Sequence, residues 1–515
     1  MIIRIINNRW LQLEQIPPDM EDVVYHKFSA KDPKSRYITN VDEQSWDGYY
    51  RKYNRHRKSL AKSFLVDLVT LCKAYNFPYE IWDDRRNLPD PFKVEDVIPN
   101  LLNGIELMEH QVEGVKACLK HEIGTFFMTT GAGKTEIMCA IAALMRVPTL
   151  IVAEERVVLE QIKTRLELRD IVDEVGIFYA GKTPTDSLIC VGSIASLIPP
   201  AGIKRKEKEA QDKFDLRLKA YKTRITNSRK YQEIAAGCEL LMIDEADKAS
   251  SDQYRKLIMK HTNSRYLYGF TGSLPEKEKY PVDWLKLRES VGPIIARSNR
   301  RELEAQGRII PVKYLMKTFG EKGDSKNDSA FDVAQKEWMD ENEDFHNLIN
   351  KITTSLDKEN FLILVENIAL GEKLEQLIQG SKFIYGSTPV KKRTTTLQEF
   401  ENKELRVLIG SKILKRGLDL KGGIENLIIC ASSKKNSEID QKIGRPLRLN
   451  NRGWARVFDF YFVCNKYLMK HSRERLKRMI DLGYPTTVIT PNGKFDGEKV
   501  LSKGFNIVKM AQPKG

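Results

Sequence analysis

Apolar runs of four to six residues recur along this chain, and most are followed by a longer stretch with helical spacing. Thr125-Phe126-Phe127-Met128, Thr149 to Ala153, Ser187 to Gly192, Glu239 to Ile243 and Tyr266 to Gly272 read as buried strands. Continuous apolar runs of that length, rather than alternating ones, mark strands covered on both faces. The intervening helices make this a βαβ pattern, hence a parallel sheet. A second set follows Arg308 to Val312: Phe361 to Val365, Phe383 to Tyr385, Arg406 to Gly410, Asn426 to Cys430 and Arg456 to Val463. The expected fold class is α/β, with two parallel-sheet lobes in tandem.

The segment before the first lobe is patterned differently. Met1 to Ile6 reads as a strand, and Ser59 to Tyr75 carries apolar residues at helical spacing: Leu60, Phe64, Leu65, Leu68 and Leu71. A proline-rich stretch, Leu88 to Pro99, reads as a linker. These features divide the chain into a small N-terminal α+β domain (1–97), a first lobe (98–296), a second lobe (297–480) and a tail (481–515). The chain after about Gly493 is weakly patterned, and poor order is expected there. Within the first lobe, Lys204 to Glu233 is charged throughout and reads as one or two exposed helices. It is either a contact for a nucleic-acid backbone or a solvated surface insertion.

Composition narrows the class. The chain has 515 residues, 41% hydrophobic and 30% charged, as a folded globular protein does. Its 85 basic against 70 acidic residues give +15. Such an excess favours a polyanionic partner: nucleic acid first, an anionic membrane surface as the alternative. No run of about 18 apolar residues spans a membrane. The seven cysteines are dispersed without a Cys-x-x-Cys pair, which fits a reducing cytoplasm and not structural zinc.

Two segments carry chemistry. After Thr125 to Met128 comes Thr129-Thr130-Gly131-Ala132-Gly133-Lys134-Thr135, then Glu136 to Leu144, which reads as a helix. A strand, a glycine-rich turn and a helix form a phosphate cradle, because turn and helix amides point at the anion and the helix dipole favours negative charge. Gly131 and Gly133 permit the turn, Lys134 reaches the β- and γ-phosphates, and the Thr135 hydroxyl suits Mg²⁺. The full phosphate-loop pattern has glycine where Met128 stands. The second segment, Asp244-Glu245-Ala246-Asp247, ends the strand Glu239 to Ile243. Carboxylates at the C-terminal end of a parallel strand lie where open α/β sheets bind ligands. Asp244 suits the Mg²⁺ shell, and Glu245 suits a base that activates water. A solvated acidic turn is the alternative, but the pair of segments together points to ATP hydrolysis.

In the N-terminal domain, Ser45 to Lys58 interleaves aromatics with basic residues. Trp46, Arg51 and Lys52 are candidates for stacking on bases and pairing with phosphates. An Asp47-Gly48 hairpin turn with half-buried aromatics is the alternative.

With two lobes in view, the remaining motifs resemble those of superfamily 2 helicases and translocases. Leu107 to Gln111 resembles the glutamine motif, which implies that Gln111 reads adenine. Gly192 to Leu197 resembles the strand-end motif that touches the nucleic-acid backbone, through Ser193. Phe270-Thr271-Gly272-Ser273 resembles coupling motif III, and Tyr385-Gly386-Ser387 to Arg393 the short motif before motif V. Leu408 to Asp419 resembles motif V, with Ser411 on the backbone and Gly417 and Asp419 coupling nucleotide to lobe closure. Gln441 to Arg448 resembles motif VI. The resemblance implies that Gln441, Arg445 and Arg448 complete the ATPase set from the opposite lobe, where an arginine stabilises the transferring phosphoryl group.

Within the superfamily the sequence is most similar to the phage UvsW-like recombination and branch-migration DNA helicases. Trp46-Asp47-Gly48, Thr271-Gly272-Ser273-Leu274, Gln441-x-Ile-Gly-Arg-x-Leu-Arg and the Gly292 to Pro311 connection carry that likeness. It implies an ATP- and Mg²⁺-dependent enzyme acting on branched or forked DNA, with an RNA–DNA hybrid as a further substrate. It also implies a monomer in the cytoplasm, a host's if phage-encoded, with no membrane partner. Asp244 to Asp247 spells the DEAD-box signature of RNA helicases, but that group's motif VI begins His-Arg where this chain has Gln441-Lys442. Motif Ia has Glu154-Glu155 in place of Pro-Thr.

Overall fold

The computed structural model describes residues 1–33, 35, 46–85, 98–129, 131–179, 187–198, 202–205, 209–320, 330–411, 423–430, 450 and 452–512. The stretch read as a linker falls almost wholly outside them, as do Gly417, Asp419, Gln441, Arg445 and Arg448. The chain divides into two compact units, Met1–Met128 with Gly133–Ser298 and Thr129–Ala132 with Asn299–Gly515.

The first unit holds a seven-stranded sheet in the order Ile294–Arg297, Ile123–Phe127, Tyr266–Thr271, Leu240–Asp244, Thr149–Ala153, Ile189–Ser193, Gly176–Phe178. Every pairing is parallel. This is a RecA-like lobe: the strand before the phosphate turn and the strand ending in carboxylates flank a third, Tyr266–Thr271. Leu150, Val152, Leu241 and Ile243 pack in one core with Phe178, Leu257 and Leu287, as fully apolar strands require.

The same unit contains the N-terminal domain. Ser59–Ala61, Trp10–Glu14, Ile2–Ile5 and Glu80–Asp83 form a mixed sheet. The helix Leu65–Ala74 covers it with Leu68, Leu71 and Cys72. The helical spacing begins later than the sequence suggests, because Ser59–Ala61 pairs with Trp10–Gln12 as an edge strand. The domain docks on the lobe through Arg9, which is 6% exposed. Its guanidinium donates to the carbonyls of Ile258 (2.8 Å) and Ser264 (2.9 Å) and to the hydroxyls of Thr262 and Ser264.

The second unit contains an eight-stranded sheet, in the order Ser381–Ile384, Val407–Gly410, Phe361–Val365, Asn426–Cys430, Ala455–Phe462, Val312–Phe319, Thr486–Thr490, Gly493–Asp496. All pairings are parallel except the last. The basic helix Lys466–Asp481 is fastened to it by Arg475. Arg475 Nε lies 2.9 Å from Asp459, and the Tyr314 hydroxyl donates to the same carboxylate. The chain from Gly493 to Ala511 is built into this lobe where the sequence suggested poor order. Short helices Gly497–Leu501 and Ile507–Ala511 bury Val500, Ile507 and Ala511 against this lobe. Asn492 donates to the Met510 carbonyl at 2.9 Å. Among the described residues, no helix is long and apolar enough to cross a membrane.

Candidate nucleotide site and nucleic-acid face

Strand register puts the two chemical segments on one edge. Phe270 pairs with Phe126 on one side and Asp244 on the other. Phe127 pairs with Thr271 one residue further along. The phosphate turn and Asp244 therefore leave the same end of the sheet, two strand spacings or about 10 Å apart. A nucleotide phosphate chain with its cation spans a separation of that order.

The turn itself has the conformation that the glycines allow. Gly131 and Gly133 adopt φ of 89° and 76°, the left-handed region that a β-carbon disfavours. Helix Lys134–Met145 then begins with Gly133 as its cap, a residue with no side chain to bond the first-turn amides. Those amides, with the helix dipole, are the donors an anion needs. Lys134 Nζ donates to the Met128 carbonyl at 3.2 Å, so the ammonium folds back over the turn. Thr135 follows it in the first helical turn. This cradle and these donor types fit an ATP phosphate chain and Mg²⁺.

Gln111 is fully buried. Its Oε1 accepts from the Met108 amide at 2.9 Å, and Nε2 donates to the Gly133 carbonyl at 3.5 Å. The side chain implied to read adenine thus ties its own helix, Glu109–Lys120, to the phosphate turn.

Beyond Asp244, Glu245 also adopts a left-handed backbone (φ 52°), and its carboxylate lies 2.6 Å from Lys248. Lys248 pairs with Glu154 as well. The glutamate that stands where motif Ia has proline or threonine is therefore held beside the acidic segment. Asp247, half-buried and facing the Glu245 charge, is pushed up to about 7, desolvation being the larger cause. Thr271 Oγ1 lies 3.1 Å from Asp247 Oδ1 and 2.7 Å from the Ser273 carbonyl, connecting the acidic segment to motif III. Sequence reading overlooked Lys248 and Asp247. The Asp-Glu-Ala-Asp spelling flagged the second of these only as part of a motif.

The nucleic-acid candidates are dispersed. Ser193 ends the strand Ile189–Ser193 on the same sheet edge as Asp244, through the shared partner strand Thr149–Ala153. Its hydroxyl accepts from the Ser196 amide at 3.3 Å, capping helix Ile194–Leu197. Ser411 follows the strand Val407–Gly410 in the second unit, and its amide donates to the Ile384 carbonyl at 3.2 Å. Trp46 Nε1 donates to the Tyr49 carbonyl, with its ring edge-on to Tyr50 at 5.5 Å. Arg51 pairs with Asp47 and lies over the rings of Tyr25 and Tyr49. Lys52 does not belong with them. Its ammonium is 2.7 Å from Glu289, and the side chain is 8% exposed. The lysine joins Arg255 in neutralising that buried carboxylate, fixing the N-terminal domain to the lobe rather than facing a phosphate.

Comparison with known proteins agrees with this layout. The family model of the type III restriction enzyme res subunit matches residues 104–276, and that of the helicase conserved C-terminal domain matches 343–450. The chain belongs to the superfamily 2 helicases. Among curated relatives, this helicase is 25% identical over 401 residues to the DNA 3'-5' translocase XPB2 of Sulfurisphaera tokodaii, covering 69% of this chain and 81% of that protein. It is 20% identical over 294 residues to putative helicase 22 of a Sulfolobus islandicus filamentous virus, covering 53% and 51%. A crystal structure of UvsW from bacteriophage T4 aligns over 95% of this chain and 99% of its own, with 14% identity and a TM-score of 0.43. A DEAD box protein from Methanococcus jannaschii aligns over 79% and 98%, with 13% identity and a TM-score of 0.39.

Proposed function

We propose that this superfamily 2 helicase uses ATP hydrolysis to remodel branched DNA (junctions, D-loops, R-loops and forks) in recombination, repair and replication. The observation that supports the motor chemistry most directly is the shared sheet edge of the phosphate turn and Asp244. In this reading Lys134 and the first amides of Lys134–Met145 hold the phosphates, while Thr135 and Asp244 hold Mg²⁺. Bound Mg²⁺ would neutralise charge on the β- and γ-phosphate oxygens. Glu245 orients and deprotonates the attacking water, and Lys248 fixes its carboxylate. Gln441, Arg445 and Arg448 complete the set from the second lobe, with Gly417 and Asp419 coupling nucleotide state to closure. Ser193 and Ser411 touch the strand being moved. The protein acts as a monomer.

The test is ATPase activity with single-stranded, duplex, forked, four-way and RNA–DNA hybrid substrates. The largest stimulation is expected from forked or four-way DNA. Stimulation by RNA alone would move the assignment to a DEAD-box-like RNA helicase, the reading that Asp244 to Asp247 spells.

A second reading has its own support. The Sulfurisphaera tokodaii relative is named a translocase, and a duplex DNA translocase moves without separating strands. Displacement of a third strand from triplex DNA, with no unwinding of forks, would favour it.

A further inference from the structure

Among the described residues, the charged insertion of the first lobe forms one helix, Gln211–Ala236, of 26 residues. At 1.5 Å per residue it is about 39 Å long. It is fastened to the lobe along its second half. Ser228, Tyr231 and Ala235 are its buried residues, and Tyr231 stacks on Phe178 at 5.0 Å. Gln232 donates to the Leu197 carbonyl at 2.8 Å, and Arg224 to the Ala195 carbonyl at 3.1 Å. The helix is therefore anchored on Ile194–Leu197, the short helix capped by Ser193. The remainder runs out from that point with most of its surface exposed.

Between the two helices lies a groove of about 570 Å³, lined by Ser196, Leu216, Lys219, Thr223, Arg224 and Asn227 among others. The lining positions recur every three or four residues, so one face of the long helix forms the wall. The helix carries seven basic residues against three acidic. Two of the basic residues, two side chains with hydrogen-bonding groups and one serine converge on the groove. Leu216, 70% exposed, stands at its outer end.

The geometry points to this groove as a seat for single-stranded nucleic acid, extending the path that begins at Ser193. The inference rests on the nucleic-acid motor reading above. Lys219 meets phosphates as a point charge, and Thr223 and Asn227 offer donors to phosphate oxygens. Leu216 offers an apolar platform for an unstacked base or sugar. A duplex, with its bases stacked inward, makes no use of such a platform, and a positively charged groove with a stacking surface is how single strands are held. Because the helix is anchored beside the strand end and projects from it, a bound strand would be guided away from the lobe along the helix axis.

The test uses the full chain and fluorescent oligothymidylate at several salt concentrations. Lys219→Glu reverses charge in the groove. Lys222→Glu makes the same change one turn along, at a position that does not line the groove. Lys219→Glu is expected to weaken binding about fivefold to tenfold and to lower the salt slope by about 0.7, as loss of one single-strand phosphate contact does. Leu216→Ala should weaken binding with the slope unchanged. Lys222→Glu should leave both within error, and ATPase without nucleic acid should be unchanged in all three. Equal effects of the two charge reversals, no effect of either, or an effect confined to duplex DNA would overturn the inference. Unaltered binding to every nucleic acid would leave the groove to a protein partner and overturn it equally. Failure of the motor reading looks different: the unmodified chain would show no nucleic-acid-stimulated ATPase at all.

Discussion

Gln111 and Gly133 are held together at the entrance to the phosphate turn. The carboxamide donates to the glycine carbonyl at 3.5 Å, and a β-carbon on Gly133 would come within 2.1 Å of that same nitrogen. Two constraints therefore meet at one residue: a left-handed backbone and a neighbour that leaves no room. Gly133→Ala is expected to strain the turn by about 1–2 kcal/mol from the backbone alone. Displacing donors around the phosphate chain should reduce ATPase about a hundredfold. Adding Gln111→Ala removes the clash and not the backbone strain, so the double variant should regain part of the thermal stability and little activity. Melting curves and ATPase rates on the three variants check this.

The Lys134 ammonium folds over the turn, 3.2 Å from the Met128 carbonyl. Lys134→Ala should lower ATPase at least about a hundredfold, the usual effect of deleting one stabilising donor. Binding to DNA should change by less than about threefold, because the strand contacts proposed at Ser193 and Ser411 are on other elements. Full hydrolysis by the variant would remove the phosphate turn from the mechanism.

Asp247 makes the stability of the first lobe depend on pH in a defined direction. Burial and the Glu245 charge raise its carboxyl to about 7 in the folded state, against about 4 when unfolded. The folded state thus binds the proton more tightly between those values. The contribution is fully present below about 4 and is lost as pH rises through about 7. Asp247→Asn imitates the neutral form. The difference in melting temperature between pH 5 and pH 8 should shrink in the variant, and the variant should be the more stable of the two at pH 8. An unchanged difference would mean that Asp247 does not titrate in this window.

Parallel strands were legible because a strand covered on both faces must be apolar throughout. Phe361–Val365, Thr149–Ala153 and Asn426–Cys430 emerge with the bounds their composition suggests. The phosphate turn was legible for a related reason, since only glycine tolerates φ of 89° and 76° in so short a span. What stayed hidden depends on partners far along the chain. Lys52 reads as a surface cation until Glu289, 237 residues away, is placed beside it. Lys248 acquires meaning only when Glu154, 94 residues earlier, is brought to the same ammonium. The final helices are too short to show periodicity, and their order comes from packing Val500 and Ile507 on the second lobe.

Arg9 offers a test of how the N-terminal domain is held. Burial draws its guanidinium down to about 10, yet at neutral pH it remains charged and forks across Ile258, Thr262 and Ser264. Arg9→Ala would take the donor from the buried Ser264 carbonyl, while the Ile258 carbonyl keeps the Thr262 hydroxyl, at a cost of about 1–3 kcal/mol. Lysine supplies the charge without the planar fork and should restore only part of that. The loss should be local. Amide exchange should accelerate in Ile2–Ile5 and Trp10–Glu14, the strands that flank Arg9, while the second lobe keeps its protection. If exchange were unaltered in those strands, the salt links of Lys52 and Lys62 to Glu289 and Glu122 would have to be sufficient to hold the domain. The double substitution Lys52→Ala with Arg9→Ala would then be the variant that releases it.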